Sequence, residues 1–276
     1  MKHYALLAIL AAVPALGANS PAPTQVPIYL LASEADLLHL LAPPPTEDSQ
    51  AQREDLQAVL AAQYQARTNH TLDHAVSDAE LSCARIADVF GDAAAIRHDP
   101  QVLALLNEAA REATTLTGPA KNFWKRTRPF AFSPNVEAFA DMAQAKTAAL
   151  RPDTRSADLG GSVLGLMSGA ADLAHSSYPS GHATFGTVCA ILLAQMVPEK
   201  RTELFARGLD YAHSRMVVGA HFPTDLEAGR LTGTVAVQLL AQNPRFQHDF
   251  AIERSSLRAA LALPAEPTTT ESDGAR

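Results

Sequence analysis

Apolar residues recur at helical spacing along most of the chain, whereas no segment sustains the apolar and polar alternation of a β-strand. Leu56, Val59 and Leu60, for example, fall on one face of a predicted helix. No internal repeat and no break in composition marks a second domain. The pattern therefore predicts an all-α, single-domain helical bundle. The predicted helices cover residues 33–42, 47–67, 77–90, 100–115, 162–174, 183–197, 199–218, 223–240 and 244–263.

Capping residues and helix breakers set the predicted ends of these helices. Ser33 with Asp36, and Ser77 with Glu80, have the spacing of a capping box, in which each side chain bonds the other residue's main-chain N–H. The run Thr117-Gly118-Pro119 is expected to interrupt the chain between two helices. Residues 135–161 carry turn signals rather than a helical period, so this stretch is expected to be less ordered.

The first 18 residues have the order of a secretory signal. A lysine at position 2 precedes an apolar run over residues 5–16, and small residues follow at Gly17 and Ala18. Cleavage after residues 1–18 would export a domain of residues 19–263 to the periplasm; a retained membrane anchor is the alternative. No later apolar run is long enough to cross a bilayer, so no stable membrane insertion is expected. Residues 264–276 are rich in Pro and Thr and are predicted to be a disordered tail.

The overall charge excludes some classes of partner. The chain has 22 basic and 29 acidic residues, a formal net charge of −7, so general binding of nucleic acid or of an anionic membrane is not expected. An anion site must therefore be a local basic pocket. Apolar helical faces on a chain of this size are compatible with a homo-oligomer. Cys83 and Cys189 could form one disulfide after export or remain as buried thiols, and the sequence leaves both open.

One candidate site is the turn Ser176-Ser177-Tyr178-Pro179-Ser180-Gly181-His182-Ala183. Pro179 and Gly181 suit a tight bend, and the apolar residues that follow suit a buried helix. Because the N–H groups of a helix start lack partners within the helix and carry positive partial charge, an anion is favoured there. Alone, the same residues are more typical of a helix cap with one capping histidine than of an anion site.

A second candidate segment concentrates positive charge in an otherwise acidic chain. Residues 121–130 contain four basic side chains, the only Trp and two Phe. A solvated basic loop is the alternative, but such a loop seldom carries three aromatic residues. The composition therefore favours a partly buried basic segment.

The third candidate segment runs from Ser214 to Asp225. His221 stands before Pro223, which begins a helix, and Asp225 lies within the first turn of that helix. This spacing lets the carboxylate bond one imidazole nitrogen and leaves the other free to attack an electrophile. A capping histidine beside a first-turn Asp would leave the same pattern.

Together, the three segments supply what phosphoryl transfer needs: fixed positive charge, neutral donors, and two histidines for nucleophile and acid. A metal site built from His175, His182, His213, His221 and Asp225 is disfavoured, because Arg215 and the basic segment would repel a cation. Neither a metal nor another cofactor is therefore expected.

Lys121, Arg128-Pro129, Pro179-Ser180-Gly181-His182, Ser214-Arg215, His221 and Asp225 have the spacing of a three-part motif. It resembles that of the phosphatidic acid phosphatase type 2 and vanadium haloperoxidase superfamily, and most of all that of the class A bacterial non-specific acid phosphatases. The likeness extends to residues 29–45 and so covers nearly all of the exported chain. Two positions depart from the class A pattern, since Ser176 stands where Gly is usual and Ala183 where Thr is usual.

The resemblance implies the helical fold of that superfamily and a metal-independent acid phosphatase that acts on small phosphate monoesters. It implies that His221 attacks phosphorus, that Asp225 orients His221, and that His182 protonates the leaving alcohol. It also implies phosphate-binding roles for a further set of residues: Lys121, Arg128, Ser180, Gly181 and Arg215.

Three other functions fit parts of this pattern. A vanadate-dependent haloperoxidase would use the same pocket to hold vanadate, although its known members tend to be much longer. A lipid phosphate phosphatase shares the chemistry but usually has several membrane helices. A phosphate-binding protein without activity would not need both histidines and the aspartate, which are all present.

Overall fold

A computed structural model describes residues 27–31, 33–91, 99–140, 142 and 173–265. Within these ranges the regular structure is entirely helical, which confirms the all-α prediction. The predicted signal segment, the predicted tail, nearly all of the predicted helix 162–174 and most of 135–161 lie outside the described residues. The helices are α1 (Leu37–Leu40), α2 (Gln50–Thr68), α3 (Leu72–Ser77), α4 (Ala84–Ala87), α5 (Pro100–Thr115), α6 (Thr117–Trp124), α7 (Pro129–Phe132), α8 (Gly181–Met196), α9 (Arg201–Val217), α10 (Pro223–Leu240) and α11 (Pro244–Ala260). The described residues also include 3-10 turns at Asp88–Phe90, Leu173–His175 and Pro198–Lys200.

Helix α8 is the centre of the fold. It is apolar around most of its circumference, and a helix of this kind is stable only when neighbours cover it on all sides. Phe185, Val188, Leu192 and Leu193 are all fully or almost fully buried. Helices α9, α10 and α5 pack around α8, so its N-terminus is fixed relative to three long elements.

Glycines let α10 approach the start of α8 closely. A Cβ atom at Gly229 would overlap the main-chain oxygen of Ser180, and one at Gly233 would lie 2.8 Å from the main-chain oxygen of Thr184. Only a residue without a side chain fits at such a distance. The N-terminal half of α10 is therefore in direct contact with Ser180 and with the first turn of α8.

Several helix ends agree with local capping signals. The predicted ends of α10 and α5 are confirmed, and the Asp99 side chain accepts a hydrogen bond from the N–H of Val102 to cap α5. The helix predicted over 47–67 begins later, at Gln50, because Ser49 supplies the N-cap. The last helix ends at Ala260 rather than at residue 263.

The single helix predicted over residues 77–90 is wrong. Ser77 ends α3, and helical structure resumes only at Ala84. The buried carboxylate of Asp78 accepts hydrogen bonds from Arg85, Arg207 and Ser214. Arg207 and Ser214, both from α9, lie far from Asp78 in the sequence, and their bonds hold it outside a helix and override the local capping pattern.

Two other local predictions are also wrong. The predicted interruption lies at Leu116, between α5 and α6, and the run 117–119 forms the first turn of α6. Pro119 is tolerated there since an N–H in the first helical turn has no partner within the helix. In α1, Asp36 rather than Ser33 is the N-cap, and its side chain accepts from the N–H of Leu38.

Cys83 and Cys189 form a disulfide, with 5.4 Å between their Cα atoms. The bond ties the residue before α4 to the middle of α8, and it decides between the two alternatives that the sequence left open. Among the residues that the structure describes, no helix is both long and apolar enough to cross a membrane.

Candidate active site

Main-chain hydrogen bonds bring the three sequence segments together. The N–H of Ser177 donates to the carbonyl of Arg126 at 3.0 Å, and the N–H of Ser180 donates to the carbonyl of Asp225 at 3.0 Å. The turn before α8 is thus held between the basic segment on one side and the start of α10 on the other. The convergence that the motif predicted is present in the fold.

Lys121 lies at the base of this junction and is almost completely buried. Its ammonium donates to the carbonyls of Ser176 at 2.7 Å and of Pro179 at 2.6 Å. An ammonium has three N–H donors, so one remains for an anion. Burial lowers the pKa of Lys121 well below its ordinary value, and the charge of Arg128 lowers it further, whereas Asp225 acts in the opposite direction.

Arg128 is held in one orientation by carbonyl groups. Its Nε donates to Leu173 at 2.8 Å, its Nη1 to Ala220 at 3.0 Å and its Nη2 to Ser176 at 3.2 Å. The guanidinium and the Lys121 ammonium therefore share the Ser176 carbonyl and stand side by side. The prediction of a partly buried basic segment is confirmed, since Arg128 is only 2% exposed.

His221 contacts this basic wall through its Nε2 atom. Nη1 of Arg128 lies 3.0 Å from Nε2. A guanidinium can only donate, so Nε2 accepts, and the neutral ring carries its proton on Nδ1. Burial lowers the pKa of His221 well below its usual value, and Arg128 and Lys121 add to this effect, while Asp225 opposes it. The ring is therefore neutral, with the Nε2 lone pair turned toward positive charge.

Asp225 faces the other side of the imidazole. Its Oδ2 lies 3.5 Å from Nδ1 of His221 and accepts shorter bonds from Ser177 Oγ at 2.6 Å and from the N–H of Phe222 at 2.8 Å. Its Oδ1 accepts from Arg126 Nη1 at 2.6 Å. Burial alone would raise the pKa of Asp225, but Arg126, His221 and Ser177 together hold that pKa well below its usual range.

The bond from Phe222 also makes Asp225 a helix cap. Phe222 is the N-cap of α10, and its N–H is bonded by a carboxylate three residues later, as in one half of a capping box. The structural and the chemical interpretations of this Asp are therefore compatible.

The predicted donors of the turn lie at the start of α8. Ser180 is the N-cap, and its Oγ accepts from the N–H of Ala183 at 3.2 Å, so its hydroxyl proton can still be donated elsewhere. Gly181 is the first helical residue, and its N–H belongs to the unpaired set of the first turn. The peptide bond between Tyr178 and Pro179 is cis.

His182 follows in the first turn of α8 and is 3% exposed. Its Nε2 lies 3.2 Å from the carbonyl of Ala79, to which it must donate. The Tyr211 ring from α9 lies alongside, 6.1 Å between centroids and tilted by 30°. The ring of His182 is thus held between the 78–80 segment and α9.

Arg215 is fully buried in the last turn of α9. Its carbonyl accepts from the N–H groups of Ala220 at 2.9 Å and His221 at 3.3 Å. The chain reverses direction between Arg215 and Ala220, at Gly219, where φ is 77° and a Cβ would overlap the carbonyl of Glu137. This turn carries His221 back toward the basic segment and fixes it beside Arg215.

Sequence reasoning missed three residues that contact the predicted set and a fourth, Asp55, that contacts one of those three. Ser176 bonds Arg128 through its carbonyl and lies 3.3 Å from it through Oγ. Ser177 bonds Asp225, and Arg126 joins Asp225 to Asp55 of α2. Ser176, Ser177 and Arg126 lie inside the motif segments. Because those segments were expected to be buried, their polar side chains could have been expected to bond the site residues. For Asp55, far away in the sequence, there was none.

The chain also matches known proteins over most of its length. The model of the PAP2 superfamily matches residues 102–248. The acid phosphatase of Zymomonas mobilis is 31% identical over 84% of this chain and 80% of its own length. The non-specific acid phosphatase of Providencia stuartii is 30% identical over 79% and 80% of the two chains. That of Salmonella typhimurium is 28% identical over 79% and 78%. The chain therefore belongs to the PAP2 superfamily, as an enzyme of its acid phosphatase group.

Proposed function

We propose that this protein hydrolyses small phosphate monoesters through a phosphohistidine formed on Nε2 of His221. The observation that carries the proposal is the 3.0 Å contact between Arg128 Nη1 and His221 Nε2. It makes Nε2 the unprotonated nitrogen and puts it where a phosphoryl oxygen bound by Arg128 would bring phosphorus within reach. The names of the relatives agree with this substrate class.

Five groups would hold the phosphoryl oxygens. Lys121 offers its remaining N–H, Arg128 and Arg215 offer guanidinium charge, Ser180 offers a hydroxyl, and Gly181 offers a main-chain N–H at the start of α8. Donors of this kind act where charge develops in the transition state. Removal of one is expected to cost about 2.7 to 4 kcal/mol of transition-state stabilisation.

The reaction has two steps. In the first, the lone pair of His221 Nε2 forms a bond to phosphorus, the ester P–O bond breaks, and His182 gives a proton to the departing alkoxide. In the second, His182 takes a proton from water, the water oxygen attacks phosphorus, the N–P bond breaks, and phosphate leaves. Asp225 holds the Nδ1 proton and stabilises the positive charge on the ring throughout. Because His182 starts protonated and His221 neutral, mildly acidic pH is favoured.

No step of this mechanism uses a metal ion or another cofactor. We also propose that residues 1–18 are removed on export to the periplasm, that residues 19–263 form the enzyme domain, and that 264–276 are a disordered tail. The apolar helical faces are compatible with association into a homo-oligomer.

The test is hydrolysis of a chromogenic phosphomonoester in the presence of a chelator. The wild type should be active, His221→Ala inactive, and His213→Ala unaffected, because His213 is exposed on α9. Acid-labile phosphate should be trapped on the wild type and not on His221→Ala. Activity that requires added metal, or that survives loss of His221, would rule out the mechanism. Halide oxidation with vanadate and peroxide, without phosphatase activity, would favour the haloperoxidase alternative instead.

A further inference from the structure

Behind Asp225, on the side away from His221, lies a cluster formed by the buried residues Arg126, Asp55 and Gln52 and the half-buried Thr224. We propose that Arg126 is a positioning residue: it fixes the rotation of the Asp225 carboxylate, and through it the orientation of His221, whose tautomer is set by Arg128. The effect on turnover rests on the proposed function, whereas the effect on His221 itself does not.

The guanidinium of Arg126 is a fork between two carboxylates. Nη1 donates to Asp225 Oδ1 at 2.6 Å and to Thr224 Oγ1 at 2.6 Å. Nη2 donates to Asp55 Oδ2 at 2.7 Å and to Gln52 Oε1 at 2.6 Å. Planar guanidinium geometry makes such a bridge rigid, because both nitrogens are fixed in one plane.

Because of this bridge, the two carboxylate oxygens of Asp225 have different hydrogen-bond partners. Arg126 occupies Oδ1, so Oδ2 is the oxygen turned toward Ser177, the N–H of Phe222 and His221 Nδ1. The contact to Nδ1, at 3.5 Å, is the longest of these. A small rotation of the carboxylate would therefore lengthen the His221 contact before it broke the others.

Asp55 anchors the fork from the opposite side. Its carboxylate also accepts from Thr224 Oγ1 at 2.5 Å and from the N–H of Thr224 at 3.3 Å, so α2 is tied to the first turn of α10. The guanidinium lies 4.4 Å above the ring of Phe222, the residue next to His221. Asp55, Arg126 and Asp225 are all nearly or fully buried, which leaves little freedom for alternative arrangements.

The test compares Arg126→Gln and Arg126→Lys with a matched control. Arg258→Gln removes another fully buried arginine, which pairs with Glu199 and the carbonyl of Met196 at the opposite end of α8. The direct readout is the 15N NMR spectrum of histidine-labelled protein, with the His221 signals assigned by their absence in His221→Ala. The wild type should show the Nδ1–H tautomer of His221. Arg126→Gln should keep this tautomer, because Arg128 still donates to Nε2, but should shift the Nδ1 signal, because the carboxylate that faces Nδ1 is no longer held in place. Arg258→Gln should match the wild type.

Kinetics provide the second readout. Loss of an outer residue that orients a metal ligand typically lowers activity about 10- to 100-fold, and we take the same range for a residue that orients a catalytic side chain. We expect this fall in kcat for Arg126→Gln, with KM and the inhibition constant of inorganic phosphate within about twofold of the wild type. The kcat of Arg126→Lys should lie between those of the wild type and Arg126→Gln, because an ammonium can bond only one of the two carboxylates that the guanidinium bridges.

A wild-type Nδ1 signal of His221 together with wild-type kcat in Arg126→Gln would overturn the proposal. Loss of phosphate binding in parallel with kcat would also overturn it, since that pattern indicates general damage. If Arg126→Gln does not fold, the same two readouts on Arg126→Lys decide. A shifted His221 Nδ1 signal in Arg126→Gln, in a protein whose wild type has no phosphatase activity, would support the positioning role and reject the proposed function.

Discussion

Replacing Asp225 with Asn is expected to reduce both stability and activity, because the neighbours closest to the carboxylate are hydrogen-bond donors. Arg126 donates to one oxygen, and Ser177 and the N–H of Phe222 donate to the other, all at 2.6 to 2.8 Å. An amide has only one acceptor oxygen. In either orientation its NH₂ group would face Arg126 or Phe222, so one donor would meet another in a buried site.

The expected cost follows from the loss of a buried charge partner. Removing one member of a buried, hydrogen-bonded ion pair typically destabilises a protein by about 3 to 5 kcal/mol. The proposed chemistry should suffer as well, since neutralising a buried carboxylate that orients a catalytic histidine can lower kcat about 10⁴-fold.

The loss of stability in Asp225→Asn should depend on pH. The folded pKa of Asp225 is held well below its unfolded value of about 3.9. The stability that its charge contributes is therefore fully present above about pH 4 and is lost as the pH falls toward the folded pKa. The difference in stability between wild type and Asp225→Asn should be largest near pH 7 and should narrow below pH 4.

Urea unfolding, followed by fluorescence of the single Trp, measures this difference at several pH values. The chromogenic phosphatase assay measures kcat on the same samples. A variant within 1 kcal/mol of the wild type at pH 7, or a difference that does not change with pH, would refute the argument from the buried charge.

Three further perturbations test other parts of the structure. Because burial and Arg128 lower the pKa of Lys121 in the empty site, binding of inorganic phosphate should raise that pKa and take up protons at pH values where the empty site has begun to lose the Lys121 proton, which calorimetry in two buffers detects. Gly229→Ala should push the Ser180 carbonyl away from α10, lowering stability by about 1 to 3 kcal/mol and kcat with it. Replacing both Cys83 and Cys189 with Ala should lower the unfolding free energy by about 2 to 4 kcal/mol in urea, since the disulfide closes a separation of 106 residues.

Each of these experiments has a control. Gly118→Ala meets no atom within 4 Å, so it should leave stability and kcat nearly unchanged. The wild type unfolded in a reducing thiol should match the double cysteine variant. Proton release instead of uptake on phosphate binding would contradict the expected state of Lys121, and a fully stable Gly229→Ala would contradict the close approach of α10 to the turn.

The sequence by itself determined the features that depend on neighbours along the chain. Helix α10 begins and ends where Pro223 and the apolar period predict, and α5 begins where Asp99 can cap it. The spacing of the three motif segments was also sufficient to nominate His182, His221 and their companions. In these cases the deciding interactions lie within a few residues, or in a motif whose spacing the chain retains in full.

The tertiary structure decided the features that depend on distant partners. Asp78 leaves the helix predicted for it because Arg207, from α9, binds its buried carboxylate. The pairing of the two cysteines needed the position of α8. The link from Asp55 through Arg126 to Asp225 has no local signal, because the three residues are far apart in the sequence and meet only in the folded chain. In their buried, low-dielectric surroundings the charges must be paired. Local patterns predicted which residues are chemically suited to the site, and packing around α8 decided which of them meet.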